Sequence, residues 1–129
     1  MKNEKLSELG SRLLDLPQVI ADLQSIILKK TQKYQEVTNE ILNTEIALKN
    51  KINSKVDDAG KKVYSNADAR EAAFIEITSS DLDLTELRDK TAAIQNEIQE
   101  LKIGFERLSS EQKNTRSLLY FFANSSDHE

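Results

Sequence analysis

Residues 84–108, LTELRDKTAAIQNEIQELKIGFERL, return to an apolar or small residue in alternating steps of three and four. Continued towards the C-terminus, the stepping selects Leu84, Leu87, Thr91, Ile94, Ile98, Leu101, Phe105, Leu108, Gln112, Thr115, Leu119 and Phe122. Charged and amide side chains fill most positions between them. A narrow apolar stripe of this period is typical of a coiled coil. We therefore predict one long helix over 82–122 that needs a partner along its length.

The first half of the chain supplies a candidate partner helix. The same stepping selects Ile20, Leu23, Ile27, Lys30, Tyr34, Val37, Ile41, Thr44 and Leu48, and then shifts to Ile52 and Val56. Pro17 suits the first turn of a helix, and Asp15 is a possible N-cap. We expect a helix over about 16–56, preceded by a shorter helix over about 3–13.

Two helices with one stripe each predict an all-α fold, a long antiparallel helical hairpin in which both stripes are buried. Only 3 Gly and 1 Pro occur among 129 residues, so few turns are expected. We expect a single elongated domain, residues 1–129, with a disordered tail at 123–129. Further apolar residues lie off the stripes, at Leu13, Leu14, Ile26, Leu28 and Ile46. They predict a second contact surface, met by the N-terminal helix or by oligomerisation into a dimer or larger helical bundle.

The connection between the long helices, GKKVYSNADAREAAF at 60–74, predicts a helical corner. Gly60 is suited to leaving the first helix with positive φ. Ser65, in a capping-box-like pattern with Asp68, and Asn66 are alternative caps for a short helix over about 66–78. The run Ser79–Asp81 offers further caps, so a break before the last helix is expected.

Basic residues cluster around this corner. The candidates for contact with a partner or a nucleic acid are Lys49, Lys51, Lys55, Lys61, Lys62, Tyr64 and Arg70. Bases beside an aromatic ring suit phosphate, single-stranded nucleic acid or an acidic protein segment. The alternative interpretation is that the lysines solvate the end of a helix, where its dipole favours cations.

The run Leu118–Phe122 is the most apolar short segment of the chain. In an antiparallel hairpin it lies near the N-terminal leucines, which would cover it as a small hydrophobic cap. The alternative is a docking patch for another subunit or protein.

The composition also limits the chemistry that we expect. The chain has no Cys, its one His is His128, and its net charge is -4. Glu36 with Glu40, and Glu97 with Glu100, share helix faces but lack the histidine of a di-metal carboxylate site. We therefore expect no enzyme activity, no catalytic or metal-binding residues and no cofactor. Without a membrane span or a signal peptide in the sequence, we expect a cytoplasmic protein that does not enter the membrane.

Two resemblances add expectations. The residues Gly60, Lys61, Tyr64, Ser65, Asn66 and Arg70, followed by an apolar heptad run, resemble a pattern in small uncharacterised helical proteins of bacteria and phages. That resemblance covers about 59–110 and implies a recurrent corner, without catalytic residues. The length and paired helices also resemble prefoldin, whose subunits carry β-hairpins between two long helices. Only FIEI, 74–77, favours a strand here, since Ala67 to Ala73 favour helix.

Three functions are therefore open from the sequence. The first is a non-enzymatic coiled-coil assembly or adaptor protein that mediates protein–protein interaction, with contacts at the ends of the hairpin. The second is a nucleic-acid accessory factor that binds through the lysine-rich corner. The third is a prefoldin-like chaperone subunit.

Overall fold

The computed structural model describes residues 2–126, most of which belong to three α-helices. They are α1 (Lys2–Ser54), α2 (Ala67–Ser80) and α3 (Leu82–Ser126). The predicted all-α class is confirmed, and α1 and α3 pack against each other as a helical hairpin. Within the described range the only β pairing is an isolated antiparallel bridge between Val56 and Lys62. The β-hairpins implied by the resemblance to prefoldin are therefore not found between residues 2 and 126.

The chain divides into two compact units, where the sequence had predicted a single domain. Unit 1 contains the described residues of Met1–Thr31 and Glu97–Glu129, and unit 2 is Gln32–Asn96. The two differ in composition, because unit 2 includes the short helix α2 as well as segments of α1 and α3, whereas unit 1 has only the two long helices.

In unit 1 the helices run antiparallel. Arg12 contacts Glu111, and Lys30 contacts Glu97, so residue numbers on α3 fall as those on α1 rise. Between these pairs, Gly104 lies against Leu23, and a Cβ built on this glycine would stand 3.8 Å from the leucine Cδ2. Leu16 and Ile98 belong to the buried core of this unit.

In unit 2 the long helices meet at Glu45 and Arg88, whose carboxylate and guanidinium lie 3.0 Å apart. Val37, Ile52, Leu84 and Ile94 form most of its apolar core. α2 adds two buried residues, Ala73 and Thr78. The hydroxyl of Thr78 donates to the carbonyl of Phe74, which satisfies the buried polar group inside its own helix.

The predicted division of α1 before Pro17 is wrong, because α1 is one continuous helix from Lys2 that contains Pro17. A proline inside a helix costs about 3 kcal/mol or more. A helix that continues through it keeps Leu6, Leu9 and Leu13 on the same stripe as the fully buried Leu16. A fully buried aliphatic side chain contributes about 1.5–3 kcal/mol, so Leu16 together with the three half-buried leucines offsets the cost of the proline.

α1 also ends two residues earlier than predicted, at Ser54 instead of residue 56, and a tight turn follows. The amide of Gly60 donates to the carbonyl of Asp57, and the Asp57 carboxylate accepts from the amides of Ala59 and Lys61. Gly60 has the predicted positive φ, 81°, but it closes this turn and does not cap α1. A turn followed by a left-handed glycine is a common connection of short hairpins, which explains the bridge beside it.

The remaining helix boundaries are set by side-chain caps. Asn66, the second of the two predicted caps, accepts from the amide of Ala69, and α2 begins at Ala67. The predicted break follows Ser80, where Asp81 is extended and accepts from the amide of Leu84 at the start of α3. α3 continues to Ser126, so residues 123–126 of the predicted disordered tail are helical. The rest of that tail, 127–129, lies outside the described residues, as does His128.

We predict that Ile98→Ala lowers the free energy of unfolding by about 2–5 kcal/mol, the cost of a cavity left by a buried isoleucine. Ile98 is only 8% exposed, at the contact between α1 and α3. The measurement is urea denaturation followed by circular dichroism at the helix band.

Gln99→Ala is the matched control, because the neighbouring Gln99 is exposed and its loss leaves no cavity. Equal effects of the two substitutions would contradict the placement of Ile98 in the core.

Candidate interaction surfaces

The apolar stripe residues that the heptad stepping selects within the two long helices are all buried or half-buried. Val37 on α1 and Leu84, Ile94 and Ile98 on α3 are buried. The other candidate seam positions are half-buried: Ile20, Leu23, Ile27, Tyr34, Ile41, Leu48, Leu87, Leu101, Phe105, Leu108, Leu119 and Phe122. After Leu48 the stripe moves to Ile52, which is buried, but not to Val56, which is exposed beyond the end of α1. These side chains therefore face a helix of the same chain.

A lysine within the stripe finds a partner at the surface. Lys30 is half-buried, and its ammonium lies 2.6 Å from a carboxylate oxygen of Glu97 on α3. Its long stem covers apolar surface while the charge stays near water. An exposed ion pair of this kind contributes little to stability. Its main effect is to hold the Lys30 ammonium at the solvent-exposed side of the stripe.

At the lysine-rich corner, the charged side chains of two of the seven candidate residues contact other parts of the corner. The Lys49 ammonium lies 4.9 Å from the centre of the Phe74 ring, which is within the range of a cation–π interaction. The Arg70 guanidinium donates to the carbonyl of Tyr64 at 3.4 Å, which links α2 to the segment before it. Tyr64 itself is half-buried. These three residues thus help to hold the corner together.

The other four candidates, Lys51, Lys55, Lys61 and Lys62, are exposed. None of the ion pairs formed among residues 2–126 includes their ammonium groups. The turn fixes their backbone, since Lys61 closes the Asp57 turn and Lys62 pairs with Val56. The structure therefore presents four exposed lysines that form no ion pair with any described residue, next to one short turn.

A groove of about 440 Å³ lies between the end of α1 and α2 in unit 2. Its lining combines Lys49 and Arg70 with Glu71 and Asn53, over the apolar surface of Ile52, Phe74 and Ile75. The sequence had indicated the two bases but not Phe74 or Asn53. The only signal for Phe74 in the sequence was its position four residues after Arg70, which places both on one side of α2. That side could be assigned to the groove only after the structure showed that α2 lies against α1.

The C-terminal apolar run is only partly covered. Leu119 and Phe122 belong to the half-buried stripe, and the ring of Phe122 meets that of Phe121 edge to face at 5.7 Å. Tyr120 and Phe121 remain largely exposed, and Leu14, expected among the covering leucines, is exposed as well. Part of this segment is therefore available for contact, and both the predicted hydrophobic cap and the alternative docking patch stay predictions.

No group of three or more His, Cys, Asp or Glu is positioned to hold a metal ion in the part of the chain that the structure describes. Over the same residues, no helix combines the length and apolar character needed to cross a membrane. Comparison with protein-family models, with curated proteins and with solved structures finds no significant match for this chain.

The ion pair between Arg12 and Glu111 has two hydrogen bonds, at 2.6 and 3.0 Å. The hydrogen bonds from Arg12, reinforced by its positive charge, lower the pKa of the Glu111 carboxyl below its usual range. The contribution of the pair to stability is therefore present at neutral pH and is lost as the pH falls through the pKa of the folded state. Because both groups are exposed, solvent screens the pair and keeps this contribution small.

We predict that Arg12→Gln raises the pKa of the Glu111 carboxyl, because the substitution removes the positive charge and the hydrogen bonds that lower it. The measurement is a carboxyl-detected NMR titration. Glu106, also on α3, is exposed and serves as the internal control. A Glu111 titration that is the same with and without Arg12 would contradict the pairing.

Proposed function

We propose that this protein is a non-enzymatic coiled-coil assembly or adaptor protein that mediates protein–protein interaction. The observation that carries the proposal is the exposed apolar surface of the long helices.

The character of that surface supports the same function. Many large apolar side chains of the long helices are exposed, including Leu14, Leu28, Leu42, Ile46 and Tyr120. Single exposed apolar residues are ordinary, but a helix that repeats them along its length usually meets another helix. Association would cover them without changing the contact between α1 and α3.

We predict that the purified protein self-associates, with a molar mass of at least twice the 14.6 kDa of one chain. The apparent mass should rise with protein concentration by mass action. Size-exclusion chromatography with multi-angle light scattering measures it directly. A mass of one chain at every concentration would contradict self-association and leave only assembly with a different protein.

A second candidate function, binding of single-stranded nucleic acid, is favoured by the four exposed lysines at the turn. Their ammonium groups make no competing ion pair among the described residues. Phosphates attract such groups, and the release of counterions makes the binding depend on salt. The acidic balance of the whole chain, -4, opposes nonspecific binding, so any contact would be local to this corner.

We predict for this second candidate that the protein binds single-stranded DNA or RNA at low salt, and that changing Lys51, Lys55, Lys61 and Lys62 to Glu abolishes the binding. Fluorescence anisotropy over a series of salt concentrations provides the measurement. The control variant changes Lys5, Lys29, Lys90 and Lys113, which are also exposed, and alters the net charge equally. Equal loss in both variants, or no binding at low salt, would exclude a site at the corner.

A further inference from the structure

The groove between the end of α1 and α2, in unit 2, has an apolar floor inside a polar rim. Ile52 of α1 is only 4% exposed and Phe74 of α2 is half-buried, so these two side chains form the floor. Ile75 is exposed and continues the apolar surface towards the solvent. The volume of about 440 Å³ lies within the range of ligand-binding clefts. The groove therefore has room for an apolar group of another molecule.

Two positively charged side chains line the same groove. The Lys49 ammonium is 4.9 Å from the centre of the Phe74 ring, so this charge lies directly beside the floor. The Arg70 guanidinium donates one hydrogen bond, to the carbonyl of Tyr64, and no other hydrogen bond joins it to the described residues. A guanidinium has several N–H donors, so most of those of Arg70 remain for a ligand.

Neither base is neutralised by an ion pair within the part of the chain that the structure describes. The acid best placed for Lys49 is Glu45, one turn earlier on α1, but its carboxylate is paired with Arg88. No acid stands three or four residues from Arg70 on α2. The two bases are therefore available to an anionic group that enters the groove.

Nearby acids reduce the positive charge of the groove without cancelling it. Glu71 lines the groove with the two bases, which leaves one positive charge in excess. Glu76, further along α2, lines a different groove. Residues 49–71, which include the end of α1, the turn and the start of α2, have six Lys or Arg and four Asp or Glu. This segment is thus positive in a chain whose net charge is -4, which favours an acidic partner here.

The mixture of groups in the groove suits a polypeptide better than a nucleic acid. A polypeptide offers carboxylates to the bases, and backbone N–H groups to the Glu71 carboxylate and the Asn53 amide oxygen. A nucleic acid offers phosphates, which Glu71 repels. It also offers bases to stack, but the Lys49 ammonium already lies over the ring of Phe74. The groove and the four lysines of the turn therefore favour different ligands.

We propose that the groove between α1 and α2 binds an acidic segment of a partner protein. An aliphatic or aromatic side chain of that segment lies on the apolar floor, and a neighbouring Asp or Glu carboxylate binds Lys49 and Arg70. This inference rests on the proposed adaptor function and names the class of segment that the corner recognises. The apolar side chain supplies most of the affinity, while the charges set the orientation and the choice of partner.

The test begins with a display library of random short peptides that is selected on the purified protein. We expect the enriched peptides to combine an aliphatic or aromatic residue with an adjacent Asp or Glu. A synthetic, fluorescein-labelled copy of an enriched peptide then gives the dissociation constant by fluorescence anisotropy.

Two substitutions change the groove, Ile75→Glu at its apolar surface and Lys49→Glu at its rim. The matched controls are Leu42→Glu and Lys51→Glu. Leu42 is 52% exposed, close to the 56% of Ile75, and Lys51 is exposed like Lys49, but neither control residue lines the groove. We expect each groove variant to raise the dissociation constant about ten-fold or more, and the controls to leave it nearly unchanged.

Circular dichroism should show equal helicity for all four variants, and Lys49→Glu keeps the test decisive if Ile75→Glu fails to fold. A charge exchange checks the contact itself. A peptide whose acidic residue is changed to Lys should bind Lys49→Glu more tightly than it binds the wild type, because the exchange restores an attractive pair.

Three results would overturn the inference. The groove is not a peptide site if no peptide is enriched, or if the enriched peptides bind the groove variants as tightly as the wild type. The proposed assembly function is then still judged by the light-scattering mass, which does not depend on the groove. If single-stranded DNA binds in place of a peptide and loses affinity in Lys49→Glu and Ile75→Glu, the groove belongs to the second candidate function.

Discussion

The burial of the narrow stripes of α1 and α3 against each other is the interaction on which the other features depend. A long helix is not stabilised in water by its backbone hydrogen bonds alone, and only the stripe positions of these helices are largely removed from solvent. The strength of that contact explains why α1 tolerates Pro17 in its interior. It also limits the core to few residues, because each helix offers only one side to the other. The large exposed surface follows from the same geometry.

In the corner of unit 2, local polar side chains set the turn and the starts of α2 and α3, which the apolar stripes do not determine. Asp57, Asn66 and Asp81 each accept hydrogen bonds from backbone amides that no helix satisfies. Asp57 fixes the turn, and Asn66 and Asp81 each lie one residue before the helix that they cap, α2 and α3 respectively. Lys49 and Arg70 are held there by Phe74 and Tyr64. The remaining lysines of the corner form no ion pair with the residues that the structure describes, so their charges stay accessible to a partner.

The fold was predictable to the extent that it is periodic. The steps from Leu84 to Phe122 and from Ile20 to Leu48 identify the stripes, because burial against one partner helix repeats with the helix itself. The start of α1 was not predictable in this way, since it depends on whether several leucines outweigh one proline. The register of α1 against α3 was also hidden, because it depends on which residues of the two helices meet, and the contacts of Arg12 with Glu111 and of Lys30 with Glu97 establish it.

The most direct measurement for the central contact is the distance between spin labels at Arg12→Cys and Glu111→Cys in one chain. The absence of native cysteine makes the labelling specific. Dilution of the labelled protein with an excess of unlabelled protein isolates the distance within a chain, and double electron–electron resonance reads it. We predict a short distance that dilution does not change. A distance that is long, or a short one that disappears on dilution, would contradict the closure of α1 on α3 of the same chain.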